Sequence, residues 1–413
     1  MNAFTLAQEA YAAIGVDVES AIQRALAQPI SIHCWQTDDV AGLEVRDGAG
    51  DGGGILATGN YPGRARNGDE IRADIDEVLR LVPGTHRFNL HASYAESTGP
   101  RVDRDALTPE SFVRWMDWAR DRAIGLDFNP TYFSHPRANQ GSLSSANDED
   151  RAFWVRHGLA SRRIASALAA SQGSPCINNH WIADGAKDSP VDRWSPRARL
   201  RESLDQVLAS TMPGCVDAVE SKLFGLGSED YVVGSFEFYS QYALAKDVLF
   251  CLDMGHFHPT ETIADKLSSL LQFQREILLH VSRPLRWDSD HVVIFNDDLR
   301  AVFLELVRGE ALGRTHVALD FFDASIHRIG AYVIGIRATR KALLYALLEP
   351  VAALQAYERR GKLAQKLALL EESRTLPFGA VWDELCRRSA VPVGPKWIDE
   401  LDVYERNVLA HRG

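Results

Sequence analysis

The chain is poor in sulfur, with five cysteines and four methionines among 413 residues. The cysteines (Cys34, Cys176, Cys215, Cys251 and Cys386) are scattered and include no Cys-x-x-Cys pair. That pattern argues against a disulfide frame and against a cysteine-built zinc or iron–sulfur site. They read as buried thiols in a reducing compartment, so the expected location is cytoplasmic. No window approaches the roughly eighteen apolar residues that a membrane span needs. The N-terminus, Met1 to Ala10, lacks the basic and apolar regions of a secretory signal. No block of like charge occurs, and 56 acids outnumber 45 Lys and Arg. Phosphate backbones need clustered cations, so a nucleic acid is not an expected partner. The glycine-rich stretch from Gly42 to Arg66 holds Asp51-Gly52-Gly53-Gly54, yet no helix opens at the turn that a dinucleotide fingerprint requires. A segment this long is expected to be a lid over a strand end.

What is present is ordinary globular composition and a repeated device. Eight apolar runs read as strands: Ile30 to Trp35, Phe88 to Tyr94, Gly125 to Pro130, Ser174 to Ile182, Val216 to Gly225, Val248 to Leu252, Ile277 to Pro284 and His316 to Asp323. Helical periodicity lies between them, over about 69–81, 109–122, 148–170, 196–210, 236–246, 261–276 and 297–308. Thr108 is the expected N-cap of the second of these, with Pro109 at its first position. Alternating strands and helices imply parallel βαβ units, whose strands are buried on both faces and read as continuous apolar runs. Eight units imply a closed (β/α)8 TIM barrel, with its active site at the C-terminal strand ends. Two helices precede the barrel, over 4–14 and 19–27, and the chain is helical from Ile326 onward. The expected division is a barrel domain over residues 1–350 and a helical extension over 351–413 that contacts other subunits.

The strand ends carry the chemistry. Glu220 and Lys222 are two apart, so their side chains share a face. Asp253 and His256 flank Gly255, where the backbone can turn and aim both at one centre. His280 ends the seventh strand, Asp288, Asp290 and His291 follow it, and Asp320 ends the eighth. Unneutralised acids this close would repel one another. An oxygen-rich set with a minority of histidines suits Mn²⁺ or Mg²⁺, with Co²⁺ possible, better than zinc. His258, His291 and Asp323 are candidates either for ligands or for groups that orient ligands. His91, Trp181 and Phe133 offer an imidazole and flat aromatic surfaces suited to a sugar, and Trp35 and Asn89 are further candidates for the mouth. Such a metal set polarises a carbonyl and its neighbouring hydroxyl. Such a set permits hydrogen to move between the two carbons, either through a base or as hydride. No glutamate base is visible apart from the metal set, which favours hydride, with Asp290 among the groups able to move the hydroxyl proton.

Long stretches of the chain resemble the L-rhamnose isomerase family: Ser31 to Gln36, Gly59 to Gly63, Gly125 to Pro130, Val219 to Gly225, Leu252 to Thr260, His280 to Pro284, Arg286 to His291 and Leu319 to Ser325. The resemblance spans essentially the whole chain. It implies a Mn²⁺-dependent barrel, with two ions per subunit that Co²⁺ or Mg²⁺ can replace. It further implies interconversion of L-rhamnose and L-rhamnulose by a homotetramer. Carried over by position, Glu220, Asp253, His280 and Asp320 would hold a structural metal that binds the substrate. His256, Asp288 and Asp290 would hold a catalytic one, with Asp253 as a bridge. Lys222 would hydrogen-bond near O1, and His91 would lie near the ring oxygen and assist ring opening.

Three other readings remain open from the residues themselves. One is a related aldose isomerase or epimerase with a different preferred sugar, which a substrate panel distinguishes. Another is a metal-dependent nuclease on a barrel, which the acidic balance disfavours. The third is a non-catalytic carbohydrate-binding protein, which leaves Lys222, Asp288 and Asp290 without a task.

Overall fold

The computed structural model describes residues 2–44, 59–96, 102–223, 230–258, 260–285 and 291–412. All eight expected strands form: β1 (Ile30–His33), β2 (His86–His91), β3 (Gly125–Asn129), β4 (Cys176–Trp181), β5 (Cys215–Glu220), β6 (Leu249–Asp253), β7 (Ile277–Val281) and β8 (Thr315–Leu319). Each pairs in parallel with its sequence neighbours, and β8 closes on β1. A short antiparallel ribbon, Gly185–Ala186 with Tyr231–Val232, lies outside the barrel sheet.

The two-residue period of a strand explains where the site sits. Ile177, Ala218, Leu249, Cys251, Leu278 and Ala318 form a small apolar cluster separate from the main core between strands and helices. Two residues further along each strand, on the same face, come Asn179, Glu220, Cys251, Asp253, His280 and Asp320. The apolar cluster is therefore the floor beneath the polar strand ends. On the β1–β3 side, Asp127 accepts from Ser31 Oγ (2.7 Å), Arg87 Nε and Nη2 (both 2.9 Å) and the Ile177 N–H (3.0 Å). This polar plug is satisfied without reaching the strand ends.

The helices follow the sequence reading with local differences. The helix expected from Pro196 runs over Trp194–Val207, because Asp192 accepts from the Trp194 and Ser195 N–H groups and starts it early. The segment after Thr108 opens as a 3₁₀ turn, Pro109–Phe112, before the α-helix Val113–Asp121, and the Thr108 side chain makes no capping bond. The helix expected over 261–276 is shorter, Ala264–Leu270, and the chain then turns through Leu271 to Gln274. Residues 45–58 of the expected lid lie outside the described residues.

Past the barrel, helix Phe378–Arg388 packs on the N-terminal helices Ala3–Ala12 and Val18–Ala27, and helix Lys396–Asn407 packs on Arg328–Leu347. The chain end is tied to the segment that follows β1. Arg412 grips Asp74 through both Nη atoms at 2.8 Å, and Tyr404 Oη adds a bond at 2.6 Å. Tyr61 Oη donates to Glu405 at 2.8 Å, and Gly63, with φ of +77°, lies against Leu409. Asp74 is fully buried, so removing its cation strands a charge. Arg412→Met should cost about 3–5 kcal/mol, read as a lowered urea midpoint. Adding Asp74→Asn to that variant should recover part of the loss.

Candidate metal centre and substrate face

Glu220, Asp253, His280 and Asp320 come from four consecutive strands and converge. One donor atom from each lies within 4.8 Å of all the others. His280 Nδ1 is 3.3 Å from Glu220 Oε1, 3.5 Å from Asp253 Oδ2 and 3.2 Å from Asp320 Oδ2. Glu220, Asp253 and His280 are buried, and only Asp320 opens toward solvent, with its side chain 20% exposed. Three acids around one imidazole form an arrangement that demands a cation. Without a metal, a proton fills that need: burial pulls His280 down, but Cys251, Glu220, Asp253 and Asp320 hold it well above the ordinary imidazole range. Burial likewise works to raise Asp253, and His256, His280 and the Gly255 N–H outweigh it. Asp320 is pushed up to about 6, chiefly by burial, then by Asp253 and Glu220, against the pull of His280. Asp253 Oδ2 and His280 Nε2 are buried without a hydrogen-bond partner. Hard carboxylate oxygens, one imidazole and unspent donors fit a divalent cation.

Supporting bonds fix the donors. Asn179 Nδ2 donates to Glu220 Oε2 at 2.5 Å, and Asp253 Oδ1 accepts from Ser282 Oγ (3.0 Å) and the Gly255 N–H (2.5 Å). The turn at Gly255 brings His256 back to the cluster, with Nδ1 3.3 Å from Glu220 Oε1. Its shorter contact, 2.7 Å, is to the Ser221 carbonyl. A carbonyl only accepts, so Nδ1 carries the hydrogen and Nε2 the lone pair a metal would take. Asp288 and Asp290 lie outside the described residues.

The opposite face is aromatic. Trp35 stands edge-on to His91 (4.8 Å between centroids), His91 to Phe133 (5.7 Å) and Phe133 to Trp181 (5.0 Å). Lys222 Nζ lies 4.9 Å from the Trp181 ring centre. His91 Nδ1 meets Thr131 Oγ1 at 3.2 Å and Nε2 meets Asn129 Nδ2 at 3.3 Å. Burial, then Arg104 and His280, press its pKa down to about 3, so its ring is neutral. Arg104 donates to the carbonyls of Thr131 and Phe133, both at 2.6 Å, and shapes the turn that presents Phe133. Asn89 Oδ1, Asn129 Oδ1, Asn179 Oδ1 and Trp181 Nε1 are buried without partners. They are polar atoms suited to hydroxyl groups.

Not every sequence candidate joins this centre. His258 is exposed and pairs with Thr260 Oγ1 at 2.8 Å. Asp323 accepts from the Ser325 N–H and hydroxyl, and its backbone is tied to Gln36, so it braces the loop after β8. His291 is half-buried and bridges to Arg283 through backbone bonds. Conversely, Asn179, Ser282 and Arg104 escaped the sequence reading. Only Asn179 left a signal there, two residues before Trp181 on the same strand face.

A sequence model of the L-rhamnose isomerase family matches residues 1–412. The chain belongs to the L-rhamnose isomerase family. It is 55% identical over its full length to the L-rhamnose isomerase of Rhodopirellula baltica, covering 96% of that chain. To those of Mannheimia succiniciproducens and Escherichia coli O17:K52:H18 it is 52% and 50% identical, covering all of this chain and 99% of each of theirs. A solved L-ribulose 3-epimerase aligns with 81% of this chain and 97% of its own, at 14% identity and a TM-score of 0.43. Membership makes the chain an enzyme, an aldose–ketose isomerase. The family is metal-dependent, and the convergent donors are the candidate place for the metal.

Two outcomes follow for this isomerase. Because Asp320 binds a proton below about pH 6 and a metal needs the carboxylate, metal affinity should fall as pH drops through 6, measured by titration calorimetry. Asn179→Ala should weaken metal binding by about 10–100-fold through the freed Glu220 carboxylate, whereas Asn179→Asp should be worse through repulsion.

Proposed function

We propose that the chain interconverts L-rhamnose and L-rhamnulose, using two divalent cations per subunit, Mn²⁺ by preference with Co²⁺ or Mg²⁺ able to substitute. In this reading Glu220, Asp253, His280 and Asp320 hold one ion. His256 holds the second with Asp288 and Asp290, and Asp253 reaches both. The convergence of four donors within 4.8 Å, in a member of this family, carries the proposal. When bound, the ions polarise the sugar carbonyl and its neighbouring hydroxyl.

The chain's own groups do the rest. Lys222, held beside Trp181, donates a hydrogen bond near O1. Trp181 and Phe133 shield the apolar face of the sugar and exclude water. His91 enters neutral, so it helps ring opening through a hydrogen bond and brings no stored proton. Among the described residues, the β1–β4 side of the site carries His33, Asn89, His91, Asn129, Asn179 and Trp181 and no acid at that level, since Asp127 is spent on the plug. With no separate carboxylate base there, direct hydride transfer between C1 and C2 is the route the residues favour. Asp290 is the group proposed to move the hydroxyl proton.

The free thiols accord with a cytoplasmic enzyme. Among the described residues no helix is long and apolar enough to cross a membrane. The extension over residues 351–413 is proposed to join subunits in a homotetramer. Helix Leu363–Ser373 supports this, since it buries no residue of its own and leaves Leu363 and Leu367 each 59% exposed.

The deciding experiment is turnover of C2-deuterated L-rhamnose by the Mn²⁺-loaded enzyme. The label should appear at C1 of L-rhamnulose, and complete exchange with solvent would defeat the hydride route. Slower turnover of L-rhamnose than of another aldose in the same assay would reassign the substrate.

A further inference from the structure

The donor cluster has a second face. Cys251 lies two residues before Asp253 on the same side of β6, one layer deeper in the barrel. It pairs in register with Glu220, and its sulfur joins one oxygen of Glu220 and one ring nitrogen of His280 in a second group whose atoms all lie within 4.8 Å of one another. All three residues are buried, His280 to 1% exposure, and His280 Nε2 has no hydrogen-bond partner. The two groups share Glu220 and His280, so an ion in one draws on side chains that the other also uses.

We propose that Glu220, Cys251 and His280 form an alternative site for thiophilic divalent ions, of the zinc and cadmium class, which compete with the hard ion of the isomerase centre. Three donors of the types O, S and N suit a borderline or soft ion, whereas the carboxylate-rich group suits a hard one. Charge balance favours the choice. A doubly positive ion with one carboxylate and one thiolate is neutral, which the apolar floor around Cys251 tolerates better than a net charge. As the ion binds, the Cys251 S–H bond and the N–H bond of the His280 nitrogen that takes the ion both break and both protons leave to solvent, so no oxidant or reductant is needed. Inhibition through this site rests on the function proposed above, whereas ion binding does not.

The test uses the full-length chain freed of metal and titrated with Cd²⁺, following the ultraviolet sulfur-to-cadmium charge-transfer band. The wild type should develop a band that Mn²⁺ displaces. Cys251→Ser and Cys251→Ala should lose that component, leaving only what the other four cysteines contribute. Cd²⁺ affinity in both variants should fall at least about tenfold, the scale on which losing a group at a metal acts. Mn²⁺ affinity should stay at the wild-type value, and both variants should keep the wild-type circular dichroism spectrum. Equal bands and equal Cd²⁺ affinities in wild type and both variants would overturn the proposal. So would a Cys251-dependent band that saturating Mn²⁺ leaves intact, or an equal loss of Mn²⁺ and Cd²⁺ affinity in both variants. In the activity arm, Cd²⁺ should inhibit Mn²⁺-loaded wild type more strongly than Cys251→Ser. Absence of L-rhamnose turnover in the wild type would count against the proposed function alone, because the binding arms still decide this site.

Discussion

Three carboxylates and an imidazole cannot share a buried space unless a positive charge joins them, and that requirement governs the barrel. Glu220, Asp253 and Asp320 all lie within 3.5 Å of His280 Nδ1. In the metal-free chain the imidazole keeps its proton and becomes the missing cation. A proton is a poor substitute because it sits on one atom and leaves Asp253 Oδ2 without a hydrogen bond. A divalent ion satisfies several oxygens at once, so the energy stored in this repulsion is available as binding energy.

The fold tolerates such a centre because the strand period separates it from the floor. Each strand that supplies a donor supplies an apolar or small residue two positions earlier: Ala218 below Glu220, Cys251 below Asp253, Leu278 below His280 and Ala318 below Asp320. The barrel is thus filled beneath the site, and the acids need not be solvated from below. Neutral donors then trim two of the three carboxylates. Asn179 takes one oxygen of Glu220, and Ser282 and the Gly255 N–H take one oxygen of Asp253. Each bond leaves the other oxygen as the one aimed at the centre.

Much of this was legible from the chain, and the exceptions share a cause. All eight strands could be read because parallel strands buried on both faces are continuously apolar. The donors could be read because acids and histidines at strand ends have few structural uses. Helix starts were less legible: Asp192 opens a helix two residues before its expected Pro196 because one side chain caps two amides. Asn179, Ser282 and Arg104 were hidden because their importance lies in a partner supplied by another strand or loop, which periodicity does not reveal. Cys251 was read correctly as a buried thiol, but its nearness to Glu220 and His280 depends on strand register, which appears only once β5, β6 and β7 are aligned. His258 resembles His256 in sequence, yet the turn at Gly255 brings His256 to Glu220 while His258 is exposed and pairs with Thr260.

The asymmetry of the site has a consequence for the molecule it handles. Charge is concentrated on β5 to β8, while the described residues of β1 to β4 offer amides, an indole and a histidine kept neutral by burial and Arg104. A sugar in this space meets a strong field on one side and directional, uncharged hydrogen bonds on the other. The charged side can polarise only the oxygens nearest to it, so reactivity is confined to one end of the sugar. The neutral side must then choose which end that is. It holds several buried polar atoms without protein partners, so a sugar with matching hydroxyls satisfies them and a mismatched one leaves them stranded. Under the proposed function, the carboxylates set which bond reacts, and Asn89, Asn129, Asn179 and Trp181 set which sugar presents it.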